Sequence, residues 1–119
     1  MLEAIDEEGV MKLFRTVKKA VEDRDIDALM SLYHEDFEFI RHQSGTSLNK
    51  AEYTTLMEAM FVDERFKMLM HRCIYENDDI LAEHSVMRFQ DGSRESLLSV
   101  QMIEDGQIIR QEPGASLMK

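Results

Sequence analysis

Cysteine is almost missing: Cys73 is the single thiol in 119 residues. One thiol builds neither a disulfide framework nor a cysteine-based zinc site. Proline occurs once and glycine five times, and no stretch of either reads as a linker. No apolar run approaches the roughly 18 residues that a membrane span needs. Basic residues are the minority, with fourteen Lys and Arg against twenty-four Asp and Glu and a net charge of −10. A surface of that sign repels nucleic acid and anionic lipid, so neither is expected as a partner. The opening residues Met1 to Glu8 are acidic and lack an apolar signal core. Export is therefore not indicated and a cytoplasmic location is expected. A Gly-rich phosphate loop, a nucleophile elbow and a paired-carboxylate motif are all missing from the sequence, and no cofactor is expected.

What the sequence does have is a core. Apolar residues make up 44% of the chain, enough for one globular domain over residues 1–119 and too many for wholesale disorder. Val10, Leu13, Phe14, Val17 and Val21 recur at spacings of three and four, with Lys12, Arg15, Lys18, Lys19 and Glu22 opposite. This predicts an amphipathic helix over about residues 6–22, its acidic start Asp6-Glu7-Glu8 suited to the positive end of the helix dipole. Asp25 reads as the N-cap of a short second helix with Ile26, Leu29, Met30 and Tyr33 inward. Alternation around Phe37 and Phe39 predicts a strand near 36–42, and Ser44-Gly45-Thr46 a turn. Asn49 and Glu52 have capping-box spacing, and Tyr53, Leu56, Met57, Met60 and Phe61 form the stripe of a third helix to about residue 61. From Phe66 the period becomes two. Strands are expected near 66–76, 79–90, 94–104 and 107–112, punctuated by Asp91-Gly92 and Asp105-Gly106, dipeptides that favour hairpin turns. The tail Pro113 to Lys119 is expected to end the domain loosely. Helices first and a meander second imply an α+β fold.

The run from Ala20 to Phe39 and the closing Glu104-Asp105-Gly106-Gln107-Ile108-Ile109 resemble the nuclear transport factor 2-like superfamily. That group includes ketosteroid isomerase, scytalone dehydratase, limonene epoxide hydrolase and the SnoaL-like polyketide cyclases. The likeness extends over about residues 8–112. It implies a cone-shaped α+β barrel, three N-terminal helices packed on a curved antiparallel sheet, a pocket between them, and a homodimer formed through the outer sheet face. The group mixes enzymes with non-enzymes, so it specifies fold better than activity. Ketosteroid isomerase chemistry needs a carboxylate base and two proton donors at an oxyanion hole. The match puts Arg41 at the base, Val17 at the tyrosine donor and Val100 at the protonated aspartate. All three roles are missing, and that activity is rejected for this chain.

On the second meander strand, Leu81, Met87 and Phe89 share a face with Glu83 and Ser85, because side chains repeat every second residue. That face should pack on the helices. A carboxylate there must be paired or protonated. Arg41 shares a face with Phe37 and Phe39 and is the expected partner: Arg41 would hold an oxyanion and Glu83 would move a proton. The alternative is a structural ion pair, or two side chains solvated at a rim. Ser85, Tyr33 and Tyr53 are candidate ligand contacts, against an ordinary role as core hydroxyls and rings. Met57, Met60, Met87 and Met102, with Val100, would give an adaptable apolar wall, or simple core filling. Arg72 stands at the pocket mouth or snorkels. His71 and Cys73 share a strand face but supply at most two metal ligands, so no metal is expected. His42 and His84 read as surface or interface histidines. The function expected is a pocket for a small, mostly apolar ligand, with cofactor-free proton transfer of isomerase, dehydratase or cyclase type. The alternative is a non-catalytic ligand-binding or dimeric interaction module.

Overall fold

The structure, a computed structural model, describes residues 12–118. The expected helix start at residues 6–11, Val10 included, lies outside them. Three helices and six strands follow in the order α1 (Lys12–Glu22), α2 (Ile26–Met30), β1 (Tyr33–Arg41), β2 (Thr46–Asn49), α3 (Lys50–Val62), β3 (Lys67–Glu76), β4 (Ile80–Arg88), β5 (Arg94–Glu104) and β6 (Gln107–Met118).

Local chemistry accounts for the helices. Along α1, Phe14, Val17 and Ala20 are buried while Lys12, Arg15 and Lys19 face outward. The amides of Leu13 and Phe14 donate to the Glu76 carboxylate of β3 at 3.0 and 2.9 Å. A negative charge satisfies orphan amides and complements the dipole at that end. Asp25 caps α2 by accepting the Ala28 amide. Asn49 and Glu52 form a reciprocal capping box at α3, whose face of Tyr53, Met57 and Phe61 is buried.

The strands form one six-stranded sheet in the order β2-β1-β6-β5-β4-β3. It is curved and mixed: β1 runs parallel to β6, and every other pair is antiparallel. This corrects the all-antiparallel expectation. The helices are also not all N-terminal, because β1 and β2 precede α3. The tail is not loose either. Residues 112–118 continue β6 against the first half of β5, with Pro113 opposite Ser99 and Met118 opposite Arg94. Pro113 is tolerated because β1 pairs with β6 only as far as Gln111. Beyond it β6 has a free edge, where a missing N–H costs no ladder bond.

The core lies between the helices and the concave face, around Leu29, Tyr33, Phe37, Tyr53, Phe61 and Ile108. Register decides which strand residues reach it. Leu81, Glu83 and Ser85 of β4 oppose Gln101, Ser99 and Leu97 of β5, and all but Leu97 are buried. Irregularities in β3 between Met68 and Met70, and between Cys73 and Tyr75, change which residues of β3 face inward.

Candidate functional site

The strand alternation that carries Leu81 into the core carries Glu83 with it. Glu83 is 7% exposed, as buried as its apolar neighbours. Its carboxyl group is held by two side chains from the flanking strands. His71 Nε2 of β3 lies 2.5 Å from Oε1, and the Gln101 side-chain amide of β5 donates to Oε2. Placing a carboxyl group among leucine and methionine is costly unless it is met in this way. One proton lies between imidazole and carboxyl group. When it resides on Nε2, Nδ1 carries the imidazole lone pair, and Nδ1 is buried with no hydrogen-bond partner among the described residues. Gln101 Oε1 is likewise buried and without a partner among them. The Phe14 ring sits edge-on to the imidazole, with centroids 4.9 Å apart, and fixes its plane.

This cluster faces a small chamber of about 60 Å³ between sheet and helices, lined among others by Tyr33, Tyr53, Met57, Met87, Ser85 and Ser99. That is room for about two water molecules at roughly 30 Å³ each. The chamber adjoins a wider open cleft of about 500 Å³ between α1 and β3; Val21, Met68 and His71 line both. Burial pushes the Tyr53 hydroxyl up to about 12, and the Tyr33 hydroxyl well above its ordinary value, with Glu83 adding to both. Both phenols therefore remain neutral O–H donors across the physiological range. Burial likewise pushes the Cys73 thiol up to about 11, helped by Glu76 and Glu83.

The remaining residues singled out in the sequence divide cleanly. Tyr33, Tyr53, Met57, Ser85 and Met87 line the chamber together with Glu83. Met60 does not; it packs from α3 against the main core. Val100 and Met102 lie opposite Ala82 and Ile80, on the sheet face away from the chamber, because the inward set of β5 is Leu97, Ser99 and Gln101. Arg72 is exposed on that same outer face and donates to His84 Nδ1 at 3.1 Å, while His84 Nε2 meets Ser96 Oγ at 2.8 Å. The Met68–Met70 irregularity explains this placement: Met68 faces inward opposite Met87, whereas Met70 and Arg72 face outward opposite Val86 and His84.

Arg41 is the main correction. It is exposed at the end of β1 and lines a separate cleft of about 510 Å³ with Phe39, His42, Leu97 and Ala115. Glu83 is paired with His71 and Gln101 instead. Leu97 alone lines both that cleft and the chamber. His42 is exposed and meets Glu112 at 2.8 Å. Among the described residues one group places three possible metal ligands within 4.8 Å of one another: His34, Glu104 and Asp105. The Asp36 amide donates to His34 Nδ1 at 3.0 Å, which turns Nε2–H toward Glu104, 3.9 Å away.

Sequence reasoning missed two residues. His71 is the first, missed as the partner of Glu83: pairing starts with Glu76 opposite Leu81, and only the irregularity between Cys73 and Tyr75 brings Cys73, in place of Ile74, opposite Glu83 and His71 onto the same face. Arg24 is the second. It stands in the charged run Glu22-Asp23-Arg24-Asp25, and its guanidinium donates to the carbonyls of Met60, Phe61, Asp63 and Phe66. It caps the end of α3 and ties the start of β3 to the α1–α2 corner.

Residues 14–111 match the SnoaL-like domain. No curated protein matches the chain. Among solved structures it is similar to a putative ketosteroid isomerase from Kribbella flavida DSM 17836, at 15% identity and a TM-score of 0.75, covering 91% of this chain and 78% of that one. It is also similar to an NTF-2 like protein of unknown function from Burkholderia xenovorans LB400, at 17% identity and 0.74, covering 94% and 86%. A steroid delta-isomerase from Pseudomonas aeruginosa aligns at 15% identity and 0.69, covering 90% and 79%. Identities this low establish the shared fold and leave the chemistry to the residues.

Proposed function

The chain belongs to the SnoaL-like domain family, and from that premise we propose that its inner chamber seats part of a small, mostly apolar ligand and moves a proton on it without a cofactor. The observation that carries this reading is the buried His71–Glu83 pair, whose Nδ1 has no hydrogen-bond partner among the described residues. Glu83 holds the imidazole by one nitrogen and leaves the other as the base. In the step envisaged, His71 Nδ1 takes a proton from the carbon next to a ligand carbonyl. The electron pair of that C–H bond becomes an enolate, whose oxygen accepts a hydrogen bond from the Tyr53 hydroxyl. The imidazolium then returns its proton to carbon. The general-base and donor roles that are missing at Arg41, Val17 and Val100 are thereby met by other residues. Met57 and Met87 supply the adaptable apolar wall. A chamber of about 60 Å³ takes only the reacting end of a ligand, and the rest lies in an adjoining cleft.

The test is deuterium incorporation from D2O into 2-cyclohexenone, followed by proton NMR. Protein-dependent exchange is expected, with a loss of at least tenfold in Glu83→Gln and His71→Gln, since positioned general bases contribute about 10²–10⁴. Exchange that the two substitutions leave untouched, or no protein-dependent exchange at all, sinks the proton-transfer reading.

The same proposal includes a homodimer through the outer sheet face. Met70, Tyr75, Ile80 and Leu98 on β3, β4 and β5 are exposed there. Apolar side chains grouped on one sheet face support an interface.

A further inference from the structure

We propose that the α1–β3 cleft is the entrance to the chamber and that it selects small organic acids: an apolar body passes Val21 and Met68 while an anionic group stays outside on Lys18 and Lys67. This deepens the ligand-binding reading above and rests on it.

A shared wall is the first observation. The cleft and the chamber are separate spaces with Val21, Met68 and His71 in common, so turning side chains, with no strand displaced, would join them. His71, on that shared wall, keeps its buried Nδ1 without a hydrogen-bond partner among the described residues. The alternative entrance, beside Arg41, has one lining residue in common with the chamber, Leu97, among the described residues.

Charge is the second observation, and it is independent of the first. The protein carries a net −10, yet helix α1 has Lys12, Arg15, Lys18 and Lys19 against Glu22 alone. The cations near the cleft are not equivalent. Lys19 is engaged by Asp23 at 3.0 Å, and Arg24 spends its guanidinium on four backbone carbonyls. Lys18 and Lys67 line the cleft and form no ion pair among the described residues. Among the described residues Glu22 is the one acidic residue on the rim, against Lys18 and Lys67. In an otherwise acidic molecule such a patch concentrates anions where the apolar passage begins. An acid with a flat hydrocarbon body matches both halves: Phe66 and Met68 offer apolar wall, and the ammonium groups offer the counter-charge.

The experiment uses 2-naphthoate and its neutral amide, 2-naphthamide. Binding is read by NMR on protein with labelled methionine methyl groups and by the His71 ring signals. At low salt 2-naphthoate is expected to shift Met68 and His71 and to bind about fivefold or more tighter than the amide, the scale of two exposed ion pairs. That preference should vanish in Lys18→Glu/Lys67→Glu, checked for folding by circular dichroism, and persist in Arg41→Glu. Equal affinity of the two probes, no binding of either, shifts that spare Met68, or a preference lost in Arg41→Glu instead would each overturn the proposal. The proton-transfer reading fails separately. If 2-naphthoate binds as described while 2-cyclohexenone exchange is absent, the entrance stands and the chemistry falls. If exchange occurs and the acid shows no preference, the reverse holds.

Discussion

The buried trio His71, Glu83 and Gln101 makes a stability prediction that separates a working site from a structural one. Glu83 accepts from both neighbours. In Glu83→Gln both contacts can be remade, because Gln101 Oε1 has no other partner among the described residues and the Gln101 amide can turn over. What is lost is the charge on the acceptor. A hydrogen bond to a charged group is worth roughly 1.5–3 kcal/mol and a neutral one roughly 0.5–1.5, so two such losses come to about 2 kcal/mol. For a domain of this size that lowers the melting temperature by roughly 8 °C. The opposite change is to remove the whole cluster with side chains of similar volume: His71→Leu, Glu83→Met and Gln101→Met together. Three desolvated polar groups then disappear with their partners, and such replacements are neutral or stabilising by roughly 1–4 kcal/mol. The triple variant should therefore melt at or above the parent temperature, while Glu83→Gln melts below it. The assay is thermal unfolding followed by far-ultraviolet circular dichroism and by tyrosine near-ultraviolet signal, with coincident transitions required. A triple variant less stable than Glu83→Gln would refute the reasoning, because the cluster would then be holding the sheet to the helices.

Two further outcomes follow from the core and the outer face. Because burial raises Tyr53 to about 12 from an ordinary value near 10, the folded state binds that proton more tightly than the unfolded state. Its contribution is complete below pH 10 and is lost as pH rises toward 12, on the order of 3 kcal/mol; denaturant midpoints should fall across that window in a Tyr75→Phe background and fall less in Tyr53→Phe. The homodimer proposal requires sedimentation as a dimer at micromolar concentration, and Leu98→Glu should convert it to monomer with its circular dichroism unchanged; a monomeric parent protein would remove the interface.

How much of this was legible in the sequence depends on range. Features set within a few residues could be read directly: the Asp25 cap, the Asn49–Glu52 box and the Asp105-Gly106 turn each depend on neighbours no more than three positions apart. Strand alternation carried the inward orientation of Glu83 for the same reason. Pairings between distant segments were not legible. The four-residue strand Thr46–Asn49 is too short and polar to show a period, and the parallel union of β1 with β6 leaves no local trace. Parity arguments also fail wherever a strand gains a residue. The irregularity after Met68 placed Arg72 outside, although a strict two-residue count groups it with Met68. Arg41 failed differently. It shares a strand with Phe37 and Phe39, but Phe37 is 1% exposed while Arg41 is exposed, past the last residue of β1 that pairs with β6.

Strand β6 is interior in the sheet yet follows the other five strands in sequence. The β1–β2 hairpin and the β3–β4–β5 meander precede it, and no ladder joins them until this twelve-residue strand takes its place. Contacts that must wait for such distant partners form slowly and leave edges open to other chains meanwhile. Strand β6 is thus the keystone of the architecture, and cooperative folding of the two preceding pieces is deferred until it docks between them.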